Sequence, residues 1–517
     1  MNIAQYSLDN IDEYGEYVAT YFGDDEITNV QQYKNACRFA QVLLDNGVSK
    51  GDRVVVMMLN SPVVTSAFTA TWKIGAAIIP VTPMWTAREV RYLLEDSGAQ
   101  TIVTSPELAS RLEEAAEGLD TVRNMLVVGD SEVSRAVNIA ADIESAEPYE
   151  PMYDAQSDDM AMLLYTSGTT GDPKGVILSH ENLVSSTELA FQNAQGIKDV
   201  RSVSSLPMSH IYGVIVMNTG FKLGTQMRLL ASWDTRAVFA AIQELKVNRL
   251  SVVPTMLTYM LNFEDRDQYD MSSLTHVGSG GAPIPEAVRV EFEKEFDCSV
   301  KQGYGLSETA AVLSGYKQDE AYRVGSVGRP VAGVDVCILD NDNQPVAPGE
   351  PGEICARGPH VMRGYLNKDK ATKEAIVDGW LHTGDIGHMD ADDYIFITDR
   401  KKDLIIKGAE NISPKEIEEG IYVHPAVSEA AVFGVADARF GENIVAAVVL
   451  RHGASMSEGE LLEHLAGHVT KFKIPTRVVF LDELPKNPTG KIQKRALRDQ
   501  FSDLLTDAVA AKNTGQG

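Results

Sequence analysis

Between Tyr33 and Val103 the apolar residues recur with two alternating periods. Spacings of three and four in YKNACRFAQVLLDNGV, SPVVTSAFTATWKIG and TAREVRYLLEDSG predict amphipathic helices, and the short apolar runs RVVVMML, AAIIPV and TIVTS predict buried strands. Helices and strands alternating at this interval argue for βαβ units around a largely parallel sheet. A loosely patterned acidic stretch, 124–154, leads into the apolar run MAMLLYT, a glycine- and threonine-rich loop, and a helix expected from about Glu181. Short strand-like pieces at 335–339, 352–356 and 394–398, separated by the turn segments DNDNQ and APGEPGE, predict a small antiparallel module that closes the large domain.

Beyond Arg400 the elements shorten. Ser413-Pro414-Lys415-Glu416 reads as a capping box with proline at the first helical position, and Ser457 with Glu460 as a second box. AAVFGV, IVAAVVL and RVVFL predict strands, and RALRDQFSDLLTD a last helix. The expected fold is α/β: a large N-terminal domain of several subdomains, 1–400, with parallel-type sheets, helices and a small β module, followed by a small α+β C-terminal domain, 401–517.

Length and composition change this picture little. A chain of 517 residues exceeds what one hydrophobic core supports. No run reaches the 18 or so apolar residues of a membrane span, and the N-terminus lacks a basic region followed by an apolar one, so a cytoplasmic protein without a transmembrane segment is expected. Cys37, Cys298, Cys337 and Cys355 show no paired spacing and read as buried reduced thiols. Charge is more informative: 73 acidic against 46 basic residues give −27, which excludes nucleic acid as a natural partner. Polyanionic ligands would then require a local concentration of cations, for which Lys401, Lys402, Lys407, Lys471, Lys473, Arg477, Lys486 and Lys491 are candidates.

The strongest local signal is YTSGTTGDPKG. Thr166, Ser167, Gly168, Thr169, Thr170, Gly171 and Lys174 supply hydroxyls, unobstructed backbone N–H groups and a cation suited to polyphosphate oxygens. The string is not a Walker loop, because no glycine directly precedes Lys174 and no Ser or Thr follows it. A generic nucleoside triphosphatase is the alternative.

With this loop the sequence resembles the adenylate-forming superfamily of acyl-CoA synthetases, luciferases and peptide-synthetase adenylation domains. The resemblance runs from about Tyr33 to Arg498 and rests on six further strings in family order: SLPMSHIYG, GSGGAP, QGYGLSET, GWLHTGDIG, TDRKKDLIIKGAENISPKEIE and PKNPTGKIQKRAL. It implies ATP, magnesium (Mg2+) and coenzyme A, with the loop clamping the phosphates and Thr166 and Glu308 holding the metal. A hard carboxylate suits magnesium on phosphates. Asp385 and Arg400 would bind the ribose, the first as a bidentate acceptor and the second as an always-charged donor. Gly280, Gly281, Ala282 and Pro283, with Gly303, Tyr304 and Gly305, would form the adenine slot, where small residues admit a flat ring and Tyr304 stacks on it, and Gln302 and Ser307 would also bind the nucleotide. Lys491 would meet charge developing on the α-phosphate.

The resemblance also implies that His210 gates an acyl channel lined by Tyr212, Gly213, Val216, Gly278 and Gly281. These are apolar or small, so a hydrophobic fatty, alicyclic or aromatic acid is expected and acetate disfavoured. Lys402 matches the hinge about which the small, mobile domain rotates, and Gly408 the glycine of the pantetheine tunnel. Some members read LIKYKG where this chain reads LIIKG, so no nucleotide or substrate role is assigned to Lys407. A peptide-synthetase domain is disfavoured by the lack of an acid in SLPMSHIYG and of a GGxS carrier motif. A mere nucleotide binder is disfavoured by Lys491 and Glu308, and luciferase-type chemistry stays open only as fold-level analogy. The assembly state is not legible, and a homodimer stays open.

Overall fold

The computed structural model describes residues 1–166, 173–194, 196–408, 410–437, 439–487 and 490–502. Within them the N-terminal part is built on two large sheets, of eight and seven strands, both mainly parallel with antiparallel partners toward their edges. The three expected front helices form as Asn29–Asp45, Pro62–Lys73 and Ala87–Ser97. They alternate with the strands Arg53–Met57, Ala77–Pro80 and Thr101–Thr104. Each helix starts where a Thr or Ser side chain accepts from the backbone three residues on: Thr28 from Gln31, Ser61 from Val64, Thr86 from Glu89. The antiparallel module is a five-stranded sheet of Asp335–Leu339, Gly352–Arg357, Ile376–Val377, Trp380–Met389 and Ile395–Arg400.

The small domain has its own five-stranded sheet, in which Val427–Asp437 and Gly441–Leu450 form the central hairpin and Arg477–Phe480 adds a parallel strand. Helices Pro414–Tyr422 and Glu458–Ala466 cover one face with Ile417, Ile421, Leu461 and Leu465, all fully buried. No helix among the described residues is long and apolar enough to cross a membrane.

Two local readings need correction. The segment after the glycine- and threonine-rich loop is a strand, Lys174–Ser179, antiparallel to Met160–Thr166 with Thr166 opposite Lys174. The helix itself begins at His180, one residue before the expected start. The loop therefore joins a β-hairpin and does not feed a helix N-terminus, and the β-branched Val176 and Ile177 after Gly175 are the signal for that strand. The Ser457 capping box forms, but Ser413 makes no cap. Its hydroxyl donates instead to Asp399 Oδ2 at 2.9 Å, and the same oxygen accepts from the Lys415 backbone N–H at 3.2 Å. Asp399, from the end of the antiparallel module, thus caps the first helix of the small domain across the connection between them.

The thiols also differ from expectation: Cys37 and Cys355 are buried, while Cys298 and Cys337 are only partly so.

Candidate functional site

The strands Arg249–Val252, His276–Ser279 and Ser299–Gln302 run parallel and in register, so their C-terminal ends form one edge. Carboxyl ends of parallel strands are where open α/β sheets bind ligands. Gly280 to Pro283 leave this edge after Ser279, and Gly303 to Gly305 after Gln302, whose side chain accepts from the Ile284 N–H at 3.2 Å. A Cβ on Gly305 would collide with the Ala311 carbonyl, so only glycine fits. Gly281 takes φ +82°, and a Cβ there would stand in ordinary contact with Val253 Cγ1 at 3.6 Å.

Asp385 and Arg400 face each other across the antiparallel pair Trp380–Met389 and Ile395–Arg400. Arg400 Nε lies 3.0 Å from Asp385 Oδ1, and the Tyr304 hydroxyl donates to Oδ2 at 2.6 Å. Asp385 is only 3% exposed, so its carboxylate is fixed in place by two donors and keeps lone pairs for a further partner. Burial and the carboxylate raise the Tyr304 hydroxyl well above its ordinary range, so it remains a donor. Tyr304 is thereby anchored at its hydroxyl end.

Ser307, Glu308 and Thr309 form a single 3-10 turn. Glu308 Oε1 accepts from the Tyr365 hydroxyl at 2.8 Å, and Lys174 Nζ lies 4.8 Å from the centre of the same ring. Tyr365, on the short strand Gly364–Tyr365 paired to Lys174–Ser179, thus joins the hairpin lysine to the carboxylate. Sequence reading missed it, since 57 residues separate it from Glu308 and no periodicity marks it. No cluster of three metal-ligating side chains occurs among the described residues. One fixed carboxylate near the hydroxyl-bearing end of the Met160–Thr166 strand suits a hard cation that arrives on phosphates rather than a resident metal. Ser167, Gly168, Thr169, Thr170 and Gly171 lie outside the described residues.

His210 is the N-cap of helix Ile211–Leu223: its Nδ1 accepts from the Tyr212 N–H at 3.2 Å, leaving the proton on Nε2. Burial, helped by the Lys491 ammonium, pulls it down to about 4, so the ring is neutral at physiological pH. The Lys491 ammonium of the small domain is thus near enough for His210 to feel its charge. The Arg400 guanidinium first, and burial second, pull this ammonium down to about 8, while Asp385 and Asp403 oppose the shift. The turn that carries it is fixed by the Asn487 side chain, which accepts from the Lys491 N–H at 2.8 Å. A Cβ on Gly490 would stand 2.6 Å from Thr255 Oγ1 of the large domain.

Further contacts hold the two domains in this arrangement: Arg451 pairs bidentately with Glu291 at 3.0 and 2.8 Å, Lys486 Nζ donates to the Tyr259 hydroxyl at 3.2 Å, and Glu419 accepts from the Glu286 N–H at 3.3 Å.

The acyl-channel set divides. Tyr212 lies against Gly280, and its hydroxyl approaches the Gly278 carbonyl at 3.4 Å. Gly278 has nothing nearer than 4.0 Å to a Cβ position, and Val216 packs half-buried against the adjoining core. Gly213 is different: a Cβ there would strike the Pro207 carbonyl, so glycine is demanded by close packing at the helix start and not by room for an acyl group.

Lys402 stands close enough to Arg400 to feel its charge. Gly408 is exposed, with φ +60° and only Phe440 within 4 Å of a Cβ position. Lys407 is tucked away, donating to the Phe472 carbonyl at 3.1 Å over the Phe472 ring. Several expected cations are locally neutralised: Lys473 by Glu416, Lys486 by Glu429, Arg477 by Glu458 and Lys401 by Glu353. At the site Arg400, though paired with Asp385, and Lys402 still make themselves felt at the Lys491 ammonium.

The family model described as "AMP-binding enzyme" matches residues 9–366, and "AMP-binding enzyme C-terminal domain" matches 416–491. A long-chain-fatty-acid–CoA ligase of Bacillus subtilis is 34% identical over 91% of this chain and 89% of its own length. A feruloyl-CoA synthase of an Amycolatopsis species is 34% identical over 93% and 96%. The crystal structure of ATP-bound MatB from Rhodopseudomonas palustris is 30% identical over 98% of this chain and 100% of its own, with a TM-score of 0.87; the apo form of that protein, over 97% and 99%, gives 0.76. The overall arrangement is thus closer to the ATP-bound form. With family models over both domains and relatives matched nearly end to end, the chain belongs to the AMP-binding enzyme family, among its acid–CoA ligases.

Proposed function

We propose that the chain activates a carboxylic acid with an apolar body larger than acetate and passes it to coenzyme A in two half-reactions. In the first, a carboxylate oxygen attacks the α-phosphorus of ATP, the bond to the bridging oxygen breaks, and pyrophosphate leaves. In the second, the coenzyme A thiol loses its proton as sulfur attacks the acyl carbon, and AMP leaves. The observation that carries this reading is the buried Asp385 carboxylate, held by Arg400 at 3.0 Å and by the Tyr304 hydroxyl at 2.6 Å, with the Lys491 ammonium near enough to feel the charges of both Arg400 and Asp385.

In this reading Asp385 and Arg400 take the ribose, the segments 280–283 and 302–305 the adenine, and Lys174 the outer phosphates. Glu308 and Thr166 would hold magnesium, which supplies charge neutralisation on the phosphates. Lys491 stabilises the negative charge that grows on the α-phosphate, and a preorganised group of this kind is worth about 10²- to 10³-fold in rate. Neutral His210 offers its Nε2–H toward the acid. Tyr212, Val216, Gly278 and Gly281 supply an apolar, small-residue wall for the acyl group. The small domain, 401–517, then turns about Lys402 and presents Gly408 to the thiol.

The test is the product assay. With ATP, magnesium, coenzyme A and octanoate, benzoate or cyclohexanecarboxylate, pyrophosphate, AMP and a thioester are expected, with higher kcat/KM than for acetate. ADP with orthophosphate would contradict the adenylation chemistry, and equal kcat/KM for acetate would contradict the acyl assignment.

A further inference from the structure

The stretch from Met362 to Leu366 bonds in two directions at once. On one side the Met362 N–H donates to the Glu308 backbone carbonyl at 2.8 Å, and the Tyr365 hydroxyl donates to Glu308 Oε1 at 2.8 Å. On the other the Arg363 N–H donates to the Ile177 carbonyl at 3.0 Å and the Leu366 N–H to the Gly175 carbonyl at 2.8 Å. These bonds set Gly364 opposite Ile177 and Tyr365 opposite Val176. One short stretch therefore sews the turn that carries Glu308 to the strand that begins with Lys174.

Tyr365 is the side chain at which both pieces meet. Its phenol holds the carboxylate, and the Lys174 ammonium lies 4.8 Å from its ring centre. Burial first, and the Glu308 carboxylate second, hold the phenol well above its ordinary range, so it stays a donor. A backbone bond and a side-chain bond together leave Glu308 little freedom to turn, while a carboxylate's second oxygen remains for a cation. The hold on Lys174 is of another kind. A ring face attracts an ammonium more weakly than a phosphate oxygen does, so the lysine is kept at hand and can pass to a phosphate. Phenylalanine at this position would supply the same ring to Lys174, and only the hydroxyl addresses Glu308.

We infer that Tyr365 is a positioning residue for the metal–nucleotide complex: its hydroxyl fixes Glu308 for the divalent cation that arrives with ATP, and its ring holds Lys174 ready for the phosphates. This rests on the acid–CoA ligase reading above and adds to it a residue that acts only through Glu308 and Lys174.

The experiment uses the full chain and separates the two contacts. Tyr365→Phe removes the hydroxyl and keeps the ring, and Tyr365→Leu removes both. Calorimetry without any acid measures ATP affinity in saturating magnesium and in EDTA, and the ratio of the two is the magnesium effect. Groups that orient a metal ligand are worth about 10- to 100-fold, so Tyr365→Phe should shrink the magnesium effect by about tenfold or more and leave the affinity in EDTA unchanged. Tyr365→Leu should also lose about two- to fivefold in EDTA, where only the lysine contact counts. Glu308→Gln should shrink the magnesium effect as well, and adding Tyr365→Phe to it should change nothing further. A magnesium effect unmoved in Tyr365→Phe or in Glu308→Gln, an equal loss with and without magnesium in Tyr365→Phe, or an additional loss in the double variant would each overturn the inference. Equal affinities of the Phe and Leu variants in EDTA would overturn its Lys174 half. Acid-dependent ATP–pyrophosphate exchange by the unmutated chain keeps the ligase reading through all of these outcomes, and its absence with every acid would overturn both.

Discussion

The small domain carries two glycine turns, at Gly490–Lys491 and at Lys407–Gly408, whose surroundings contrast sharply. Both glycines take left-handed backbone, φ +78° and +60°. At Gly490 a side chain would also strike the large domain, with Thr255 Oγ1 at 2.6 Å and Val253 Cγ2 at 3.3 Å from the Cβ position. At Gly408 the nearest atom is 3.8 Å away and belongs to Phe440 of the same domain. The first turn is thus pressed against the large domain, with its lysine half-buried and within range of the Arg400 charge, and the second is exposed to solvent. One face of the domain is engaged in this arrangement, and the other is available for a different one. We assign the engaged face to adenylation and the exposed face to thiol transfer.

The largest expected effect comes from the engaged turn. Gly490→Val should push the turn away from Thr255, and displacement of a catalytic group by about 1 Å costs on the order of 10²-fold. Acid-dependent ATP–pyrophosphate exchange should fall by that factor, and exchange at the unmutated rate would break the contrast between the turns.

A smaller effect follows from the lysine's charge. The Lys491 ammonium is fully present below its value of about 8 and lost above it, so kcat/KM for adenylation should decline on the alkaline side of pH 8. His210, already neutral above about 4, should add no limb near pH 6.5. Lys491→Arg, whose charge does not titrate in this range, should flatten the alkaline limb. An unchanged limb in that variant would assign the titration elsewhere.

The smallest effect concerns the domain contact. The Arg451–Glu291 pair is partly exposed on both sides and such pairs are worth about 0–1 kcal/mol. Arg451→Ala should therefore slow adenylation by no more than about fivefold. A loss as large as that of Gly490→Val would mean that the pair, and not the turn, sets the arrangement.

Much of this was legible in the sequence because its signals are local. The front βαβ pattern, the small antiparallel module, and the strings around Gly280, Gly303, Asp385 and Lys491 each depend on neighbours in the chain. What escaped depends on distance. Tyr365 reaches Glu308 across 57 residues, and Asp399 replaces the cap that Ser413-Pro414-Lys415-Glu416 suggests because its carboxylate, brought from the antiparallel module, accepts from both the Ser413 hydroxyl and the Lys415 N–H. Gly490 reads as a turn glycine until Thr255 is placed beside it.

The most direct test separates the two half-reactions in Lys491→Ala and Gly408→Leu, with Gly408→Asn, which tolerates left-handed backbone, as a control for strain. In Lys491→Ala, acyl-adenylate formation should fall about 10²- to 10³-fold, while thioester formation from supplied acyl-adenylate and coenzyme A stays near the unmutated rate. Gly408→Leu should form adenylate and fail in thiol transfer. Equal loss of both half-reactions in Lys491→Ala, or unimpaired thioester formation in Gly408→Leu, would contradict the division of labour between the two faces.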